Sequence, residues 1–202
     1  LRLLYYRLIK QKFYQENKML ESNHIIKDKD SLRFLEHHNH YTDQKLRRIL
    51  RDVKTFALVG ASTVWRRPSY YAMTYLQHKG FKIIPINPAR VGETVLGEKV
   101  YGSLADVPHQ LDMVDIFRTS EEALDITKDV IKNIDARGIK YLWMQLTVRN
   151  DYAAELAEEA GLEVIMDRCP KIEFGRLSGE LSWLGVNSGI ITSKTLKSPK
   201  HD

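Results

Sequence analysis

The regular alternation of short apolar segments with helical segments is the feature that most restricts the fold of this chain. The apolar segments cover residues 55–59, 82–87, 113–117, 140–144 and 163–166, and their sequences are TFALV, KIIPIN, MVDIF, KYLWM and EVIM. Such segments are typical of buried strands, and a further short strand is predicted near Val100. Strands that alternate with helices require right-handed crossovers and a parallel sheet covered on both faces. The pattern therefore predicts a single α/β domain with a doubly wound, mainly parallel sheet and helices on both faces.

Capping and breaking residues predict four helices around this sheet. Each helix begins at a residue that suits a first turn and ends near a glycine or a polar last turn. The four predicted helices run from Thr42 to Val53, from Pro68 to Lys79, from Ser120 to Arg137 and from Asn150 to Gly161. Ser120 is the predicted cap of the third helix. No element is assigned to the segment after residue 166.

Charge and composition divide the chain into three parts. Hydrophobic residues make up 43% of the 202 residues and charged residues 28%, which is ordinary for a globular protein. Residues 1–54 hold 13 Lys and Arg against 7 Asp and Glu, whereas residues 55–202 hold 18 against 19. We therefore predict a basic, mobile N-terminal extension over residues 1–41, a domain over residues 42–175 and a C-terminal tail over residues 176–202. Residues 1–18 precede Met19, the expected initiator, and carry no functional inference.

The charge distribution and the apolar segments also exclude several partners. A nearly neutral domain lacks the basic face that binding to nucleic-acid phosphates requires. No apolar run approaches the roughly 20 residues of a membrane span. The single cysteine, Cys169, rules out an internal disulfide and fits a reducing compartment, so a cytoplasmic location is expected. The sequence leaves the oligomeric state and any protein partner open.

The histidines and Cys169 give no sign of catalysis or metal binding. The cluster of His37, His38 and His40 has no cysteine or carboxylate at ligand spacing, so these side chains are predicted to lie on the solvated surface and no metal is expected. Neither His78 nor His109 has a Ser or Asp partner that would form a hydrolase triad. We interpret Cys169 as a buried structural residue rather than a nucleophile.

Residues that follow the strands determine the predicted ligand, because ligands of such sheets bind beyond the carboxyl ends of the strands. The loop GASTVWRRPSYY fails the GxGxxG pattern, and Asn87-Pro88 stands where a dinucleotide site needs an acidic residue. The loop nevertheless suits a phosphate. It could be bound by the amides of Ala61 and Ser62, by the helix start at Pro68 and Ser69, and by the guanidiniums of Arg66 and Arg67. The alternative is that both arginines are solvated loop charges and that Ser69 only caps the helix.

Seven motifs in order along the chain resemble the stand-alone CoA-binding protein family. They are LVGAS, RRPSY, IIPINP, LGEKVYGSLADVP, VDIF, LWMQL and MDRCPKIE, and the resemblance runs from about Leu46 to Val186. Members of this family have a Rossmann-like domain similar to the CoA-binding domain of the succinyl-CoA synthetase alpha subunit. The resemblance thus implies noncovalent binding of coenzyme A or a short acyl-CoA.

The resemblance also implies roles for particular residues. The diphosphate or 3′-phosphate of CoA would be held by Gly60, Ala61, Ser62, Arg66, Arg67, Pro68 and Ser69. Asn87, Pro88 and Arg90 would flank the nucleotide, and the pantetheine channel would be lined by Phe117, Arg118, Gln145 and Leu146. Two positions depart from the family pattern: Thr147 replaces a glycine that many relatives carry, and Phe174 replaces a His or Tyr.

Three functions remain open at this point. The first is CoA binding without catalysis, which the motif set favours. The second is an NAD(P)-dependent oxidoreductase, which the glycine spacing disfavours. The third is a subunit of an acyl-CoA synthetase whose catalytic domains lie on other chains, since the 27 residues after residue 175 are too few for them.

Overall fold

The computed structural model describes residues 35–179 as an α/β domain. Its helices are α1 (Asp43–Asp52), α2 (Pro68–His78), α3 (Ser120–Arg137), α4 (Asp151–Glu159) and α5 (Pro170–Leu177), with short 3-10 turns at Glu36–His38 and Pro88–Arg90. Its strands are β1 (Thr55–Val59), β2 (Lys82–Ile86), β3 (Thr94–Val95), β4 (Glu98–Lys99), β5 (Met113–Ile116), β6 (Tyr141–Met144) and β7 (Glu163–Ile165). The predicted extension up to residue 34 and the predicted tail from residue 180 lie outside the described residues.

The five predicted strands form one parallel sheet in the order β2-β1-β5-β6-β7. The remaining two strands, β3 and β4, form a small antiparallel hairpin, and Tyr101 after it bridges to Ile86 at the end of β2. The predicted doubly wound, mainly parallel sheet is confirmed. The short strand expected near Val100 appears as β4 and this bridge.

Apolar residues place the sheet between two layers of helices. Every residue of β5 and β6 is buried, and Trp143 in β6 is among the largest side chains with no exposed surface. Helix α1 turns Leu46, Ile49 and Leu50 inward and packs with α5, which also packs with α2, whereas α3 packs with α4. Burial on both faces explains why the strands are continuous apolar runs rather than alternating ones.

Side-chain caps begin three of the helices. Thr42 Oγ1 accepts a hydrogen bond from Lys45 N at 3.2 Å, and Asn150 caps α4 in the same way, as predicted. The predicted cap of α3 is wrong, because Thr119 rather than Ser120 occupies that position in a reciprocal capping box with Glu122. The Ser120 hydroxyl instead accepts a hydrogen bond from Arg149 N at 3.0 Å and so joins α3 to the loop after β6.

Two packed segments differ from the sequence predictions. Helix α5 occupies residues for which no helix was predicted; Pro170 stands at its first turn, and Phe174 packs edge-on against Phe81. Upstream of α1, Tyr41 is buried and its hydroxyl accepts a hydrogen bond from Met166 N at 2.8 Å. Residues 36–41, assigned from sequence to the mobile extension, therefore pack against the domain. No helix within residues 35–179 is long and apolar enough to span a membrane.

Candidate functional site

The strand order identifies one crevice at the carboxyl edge of the sheet. After β1 the chain passes through α2 to β2 on one side of β1, whereas β5 lies on the other side. The chain therefore reverses direction across the sheet between β1 and β5. Such a switch point leaves a crevice between the loops that follow the two strands, and ligands of open α/β sheets bind there.

Gly60 allows the two loops at this crevice to touch. Its φ is +92°, and an added Cβ would lie 2.3 Å from the carbonyl oxygen of Phe117 and 3.1 Å from Nε of Arg118. Both the left-handed backbone and the close approach require glycine. Three of the predicted site residues, Gly60, Phe117 and Arg118, are thereby brought together.

The backbone amides of the loop after β1 are used within the protein. Gly60 N and Ala61 N donate to the carbonyl oxygen of Ile86 at 2.9 and 3.3 Å, and Ser62 N donates to Ser69 Oγ at 3.1 Å. In this structure the amides of Ala61 and Ser62, which the sequence predicts to bind a phosphate, therefore have partners within the protein. The two amides instead hold the loop against β2 and against the first turn of α2.

Asn87 connects the loops after β1 and β2. Its Nδ2 donates to the carbonyl oxygen of Ala61 at 2.7 Å, and its Oδ1 accepts from Ala89 N at 3.0 Å. Pro88 and Arg90 follow on an exposed 3-10 turn, where Arg90 pairs with Glu93 at 3.2 Å. Asn87 thus acts as a brace, and its amide group is already occupied.

Exposed cationic and aromatic side chains surround the start of α2. Arg66 and Arg67 are exposed, and neither guanidinium forms an ion pair within the described part of the chain. Trp65 is 65% exposed and stands edge-on to Tyr71, with ring centroids 6.5 Å apart. Arg67 occupies the N-cap position of α2, and its guanidinium has no acceptor atom with which to cap the first-turn N–H groups. Ser69 Oγ in the first turn accepts from Ser62 N. A helix start without a capping side chain, next to two cations, is an environment that attracts anions.

A buried carboxyl group lies beneath this edge of the sheet. Asp115 in β5 is almost fully buried, and both of its carboxyl oxygens accept from Gln145 Nε2 at 3.0 Å. Burial raises the pKa of Asp115 to about 8, and the hydrogen bond from Gln145 only partly opposes this. The amide nitrogen of Gln145, predicted to line a ligand channel, thus points at Asp115 inside the protein.

The loop after β6 contains a strained residue. Thr147 has a φ of +70°, which a β-branched residue rarely adopts, and its N–H donates to Asp167 Oδ1 at 2.7 Å. Leu146, the last of the predicted channel residues, is 37% exposed beside it. The positive φ at position 147 is one that glycine adopts without steric strain.

Cys169 is buried at the start of α5. Burial raises the pKa of its thiol, so the thiolate that nucleophilic chemistry needs is disfavoured. This agrees with the interpretation of Cys169 as a structural residue.

The structure adds one residue that the sequence analysis did not select. Asp115 lies in the apolar run MVDIF, and an acidic residue inside a fully buried strand is unusual. That anomaly was the available signal. The hydrogen bond to Gln145 could not be predicted, because the two residues are 30 positions apart in the chain.

Comparison with known proteins matches this domain to one family. Residues 54–175 match the model of a family described as a CoA binding domain. The uncharacterized protein YneT of Bacillus subtilis (strain 168) is 32% identical over 128 residues, which cover 63% of this chain and 90% of YneT.

Solved structures share the fold over the same region. A hypothetical protein from Pyrococcus horikoshii OT3 is 34% identical, with a TM-score of 0.65, and the match covers 73% of this chain and 100% of that one. A protein from Thermus thermophilus is also 34% identical, with a TM-score of 0.63, over 68% of this chain and 99% of its own.

Proposed function

Because this chain belongs to the CoA binding domain family, we propose that it binds coenzyme A or a short acyl-CoA noncovalently, without catalysing a reaction on it. The ligand would lie across the crevice between the ends of β1 and β5. The proposal concerns a small-molecule ligand only. A single buried cysteine that stays reduced fits a cytoplasmic setting for such a protein.

The observation that carries the proposal is the pair of unpaired guanidiniums at the start of α2. Arg66 and Arg67 are exposed and without ion-pair partners among residues 35–179, although 26 acidic residues are present in the chain. CoA carries a diphosphate and a 3′-phosphate, and guanidinium groups form strong charge-assisted hydrogen bonds to phosphates. The helix start adds a favourable electrostatic field for the same anions.

Other residues of the crevice fit the remaining parts of CoA. Trp65 presents a largely exposed indole on which an adenine could stack, and the turn of Asn87, Pro88 and Arg90 would flank the nucleotide. Phe117 and Leu146 would offer apolar surface to the pantetheine arm. Gln145 is buried and its Nε2 donates to Asp115, so it would not contact the pantetheine arm directly. It would instead hold the ends of β5 and β6 together beneath the channel.

Calorimetric titration of the purified chain tests the proposal. We expect CoA to bind more tightly than NAD, NADP or ATP. In an R66A/R67A double variant CoA should bind at least about tenfold more weakly, since each lost charge-assisted contact costs roughly 1.5–3 kcal/mol. Binding of pantetheine alone should not change, because it carries no phosphate.

A matched control removes two charges at the opposite edge of the sheet. Arg51 and Lys54 are exposed residues before the start of β1, and an R51A/K54A variant should bind CoA as the unmodified chain does. Equal loss in both double variants would show a general charge effect and refute the site. Binding of NAD as tight as that of CoA would favour an oxidoreductase instead.

A further inference from the structure

Three side chains of metal-ligand type meet away from the CoA crevice. His37 and His38 belong to the 3-10 turn before α1, and Glu158 belongs to the last turn of α4. His37 Nε2 lies 3.2 Å from Glu158 Oε2, and His38 Nε2 lies 3.4 Å from Glu158 Oε1. One ligand atom from each of the three residues falls within 4.8 Å of the other two. The fold thus supplies the carboxylate that the sequence around the histidines lacks.

One ring nitrogen of His38 is buried without a hydrogen bond. The His38 side chain has no exposed surface, and its Nδ1 is 2.8 Å from the hydroxyl of Tyr41. Its Nε2, on the side of Glu158, has no hydrogen-bond partner among the described residues. A buried polar atom without a partner is costly and calls for an explanation, such as an ion.

We propose that His37, His38 and Glu158 bind a divalent transition-metal ion, for which zinc is the best match. Two imidazoles and a carboxylate are a common zinc ligand set, with water in the fourth position. With bonds near 2.0 Å, neighbouring ligand atoms of a tetrahedral zinc site are about 3.3 Å apart. The separations of 3.2 and 3.4 Å between the histidine nitrogens and the carboxylate oxygens are close to this value.

The contacts of His38 leave the lone pair of its Nε2 atom available for a metal, because its other ring nitrogen, Nδ1, faces Tyr41. Tyr41 Oη accepts from Met166 N at 2.8 Å and keeps a second lone pair that can accept Nδ1–H of His38. When the metal binds Nε2, the single ring proton of neutral His38 resides on Nδ1 and is donated to this oxygen. Accepting this proton would let Tyr41 hold the ring in the tautomer that ligation needs, the usual role of a residue behind a metal-bound histidine.

Such an ion would fasten the turn before α1 to the end of α4. His37 and Glu158 are 121 residues apart in the chain, so the link would close a long loop around the domain. The role assigned to the ion is structural.

Metal titration of the full chain, tag-free and stripped with a chelator, tests this inference. We expect one Zn²⁺ per chain by calorimetry and visible d–d absorption typical of a tetrahedral site with Co²⁺. H37Q and E158Q should each bind Zn²⁺ at least about tenfold more weakly, since even a residue behind a ligand changes affinity 10–100-fold. Both side chains are partly exposed, at 56% and 33%, so both variants should unfold in urea like the unmodified chain when metal is absent.

His40 gives the matched control, because it is an exposed histidine next to the cluster that is not among its ligands. H40Q should bind Zn²⁺ with unchanged affinity and give the same Co²⁺ spectrum. The inference is overturned if the unmodified chain binds no Zn²⁺, if H37Q or E158Q keeps full affinity, or if H40Q loses as much as they do. CoA titrations of the same variants should be unchanged, which separates this result from the proposed function.

Discussion

The two halves of the carboxyl edge of the sheet differ in what their charged side chains contact. In the half formed by the loops after β1 and β5, here called the open half, Arg66 and Arg67 have no ion-pair partner among the described residues, and Arg118 is only within 4.0 Å of Glu122. In the half formed after β6 and β7, the closed half, Arg149 pairs with Asp151 at 2.7 Å. Cations in the open half are therefore available to an external anion, and those in the closed half are already neutralised.

The closed half is filled by the protein's own chain. Tyr41 inserts against the end of β7, and the guanidinium of Arg168 lies over its ring at 5.6 Å. The N–H of Thr147 is satisfied by Asp167 at 2.7 Å. Both halves have the same backbone architecture of loops beyond parallel strands. The difference teaches that strand topology provides candidate crevices, whereas the local side chains decide which of them is free for a ligand.

Gly60→Ala should have the largest effect on the crevice itself, because it forces apart the two loops of the open half. A left-handed alanine with its Cβ 2.3 Å from the Phe117 carbonyl should lower the free energy of unfolding by about 3 kcal/mol in urea titrations. CoA affinity should fall as the crevice distorts.

Gly80→Ala is the control that separates the backbone strain of a left-handed alanine from the collision of its Cβ with the Phe117 carbonyl. Gly80 has a similar φ of +89°, but an added Cβ there meets nothing within 4 Å. We expect a loss of only about 1 kcal/mol and no change in CoA binding. Equal losses at positions 60 and 80 would contradict the close contact between the loops.

Asp115→Asn tests the hydrogen bond between Asp115 in β5 and Gln145 in β6, which connects the open half to the closed half. The folded protein keeps the Asp115 proton up to a pKa of about 8, whereas the ordinary pKa is 3.8. Between these values the folded state binds more protons than the unfolded state, so this group makes stability fall as pH rises. Its contribution should approach, at most, about 1.4 kcal/mol per pH unit.

Urea unfolding at pH 5 and at pH 8 measures this effect. The asparagine variant should lose less stability than the unmodified chain between these pH values, because it has no proton to lose. An identical pH dependence for the two proteins would show that Asp115 is ionised throughout and that its burial is compensated in another way.

Thr147→Gly should give the smallest effect, a gain confined to the closed half. Glycine relieves the strain of the φ of +70°, about 1–2 kcal/mol, but loses part of this through the greater freedom of the unfolded chain. The net gain in the free energy of unfolding should be about 0.5 kcal/mol by urea titration.

The same substitution at Thr63, in the loop of the open half, is the control. Thr63 does not have a positive φ, so glycine there should be neutral or slightly destabilising. A loss of stability at position 147 would mean that contacts of the threonine side chain outweigh its backbone strain.

Much of the fold could be predicted because its signals are local. The run TFALV predicts β1, Pro68 and Gly80 bound α2, and Thr42 caps α1 as expected. The predicted cap of α3 is one residue off, although a local signal distinguishes the two candidates. Glu122 stands three residues after Thr119 and completes a capping box, whereas Ala123 stands three residues after Ser120 and cannot.

The sequence by itself determined the succession of five strands and four helices along the chain, the motifs of the CoA binding domain and the position of the β1 loop with its two arginines. These properties depend on neighbouring residues, whose periodicity and turn chemistry act over a few positions of the chain. Tertiary structure alone decided that the amides of Ala61 and Ser62 are occupied, that Asp115 faces Gln145 and that His38 is buried near Glu158. Except for the contact between Ser62 and Ser69, these contacts join residues distant in sequence, and packing brings them together only when the whole sheet and its helices have formed.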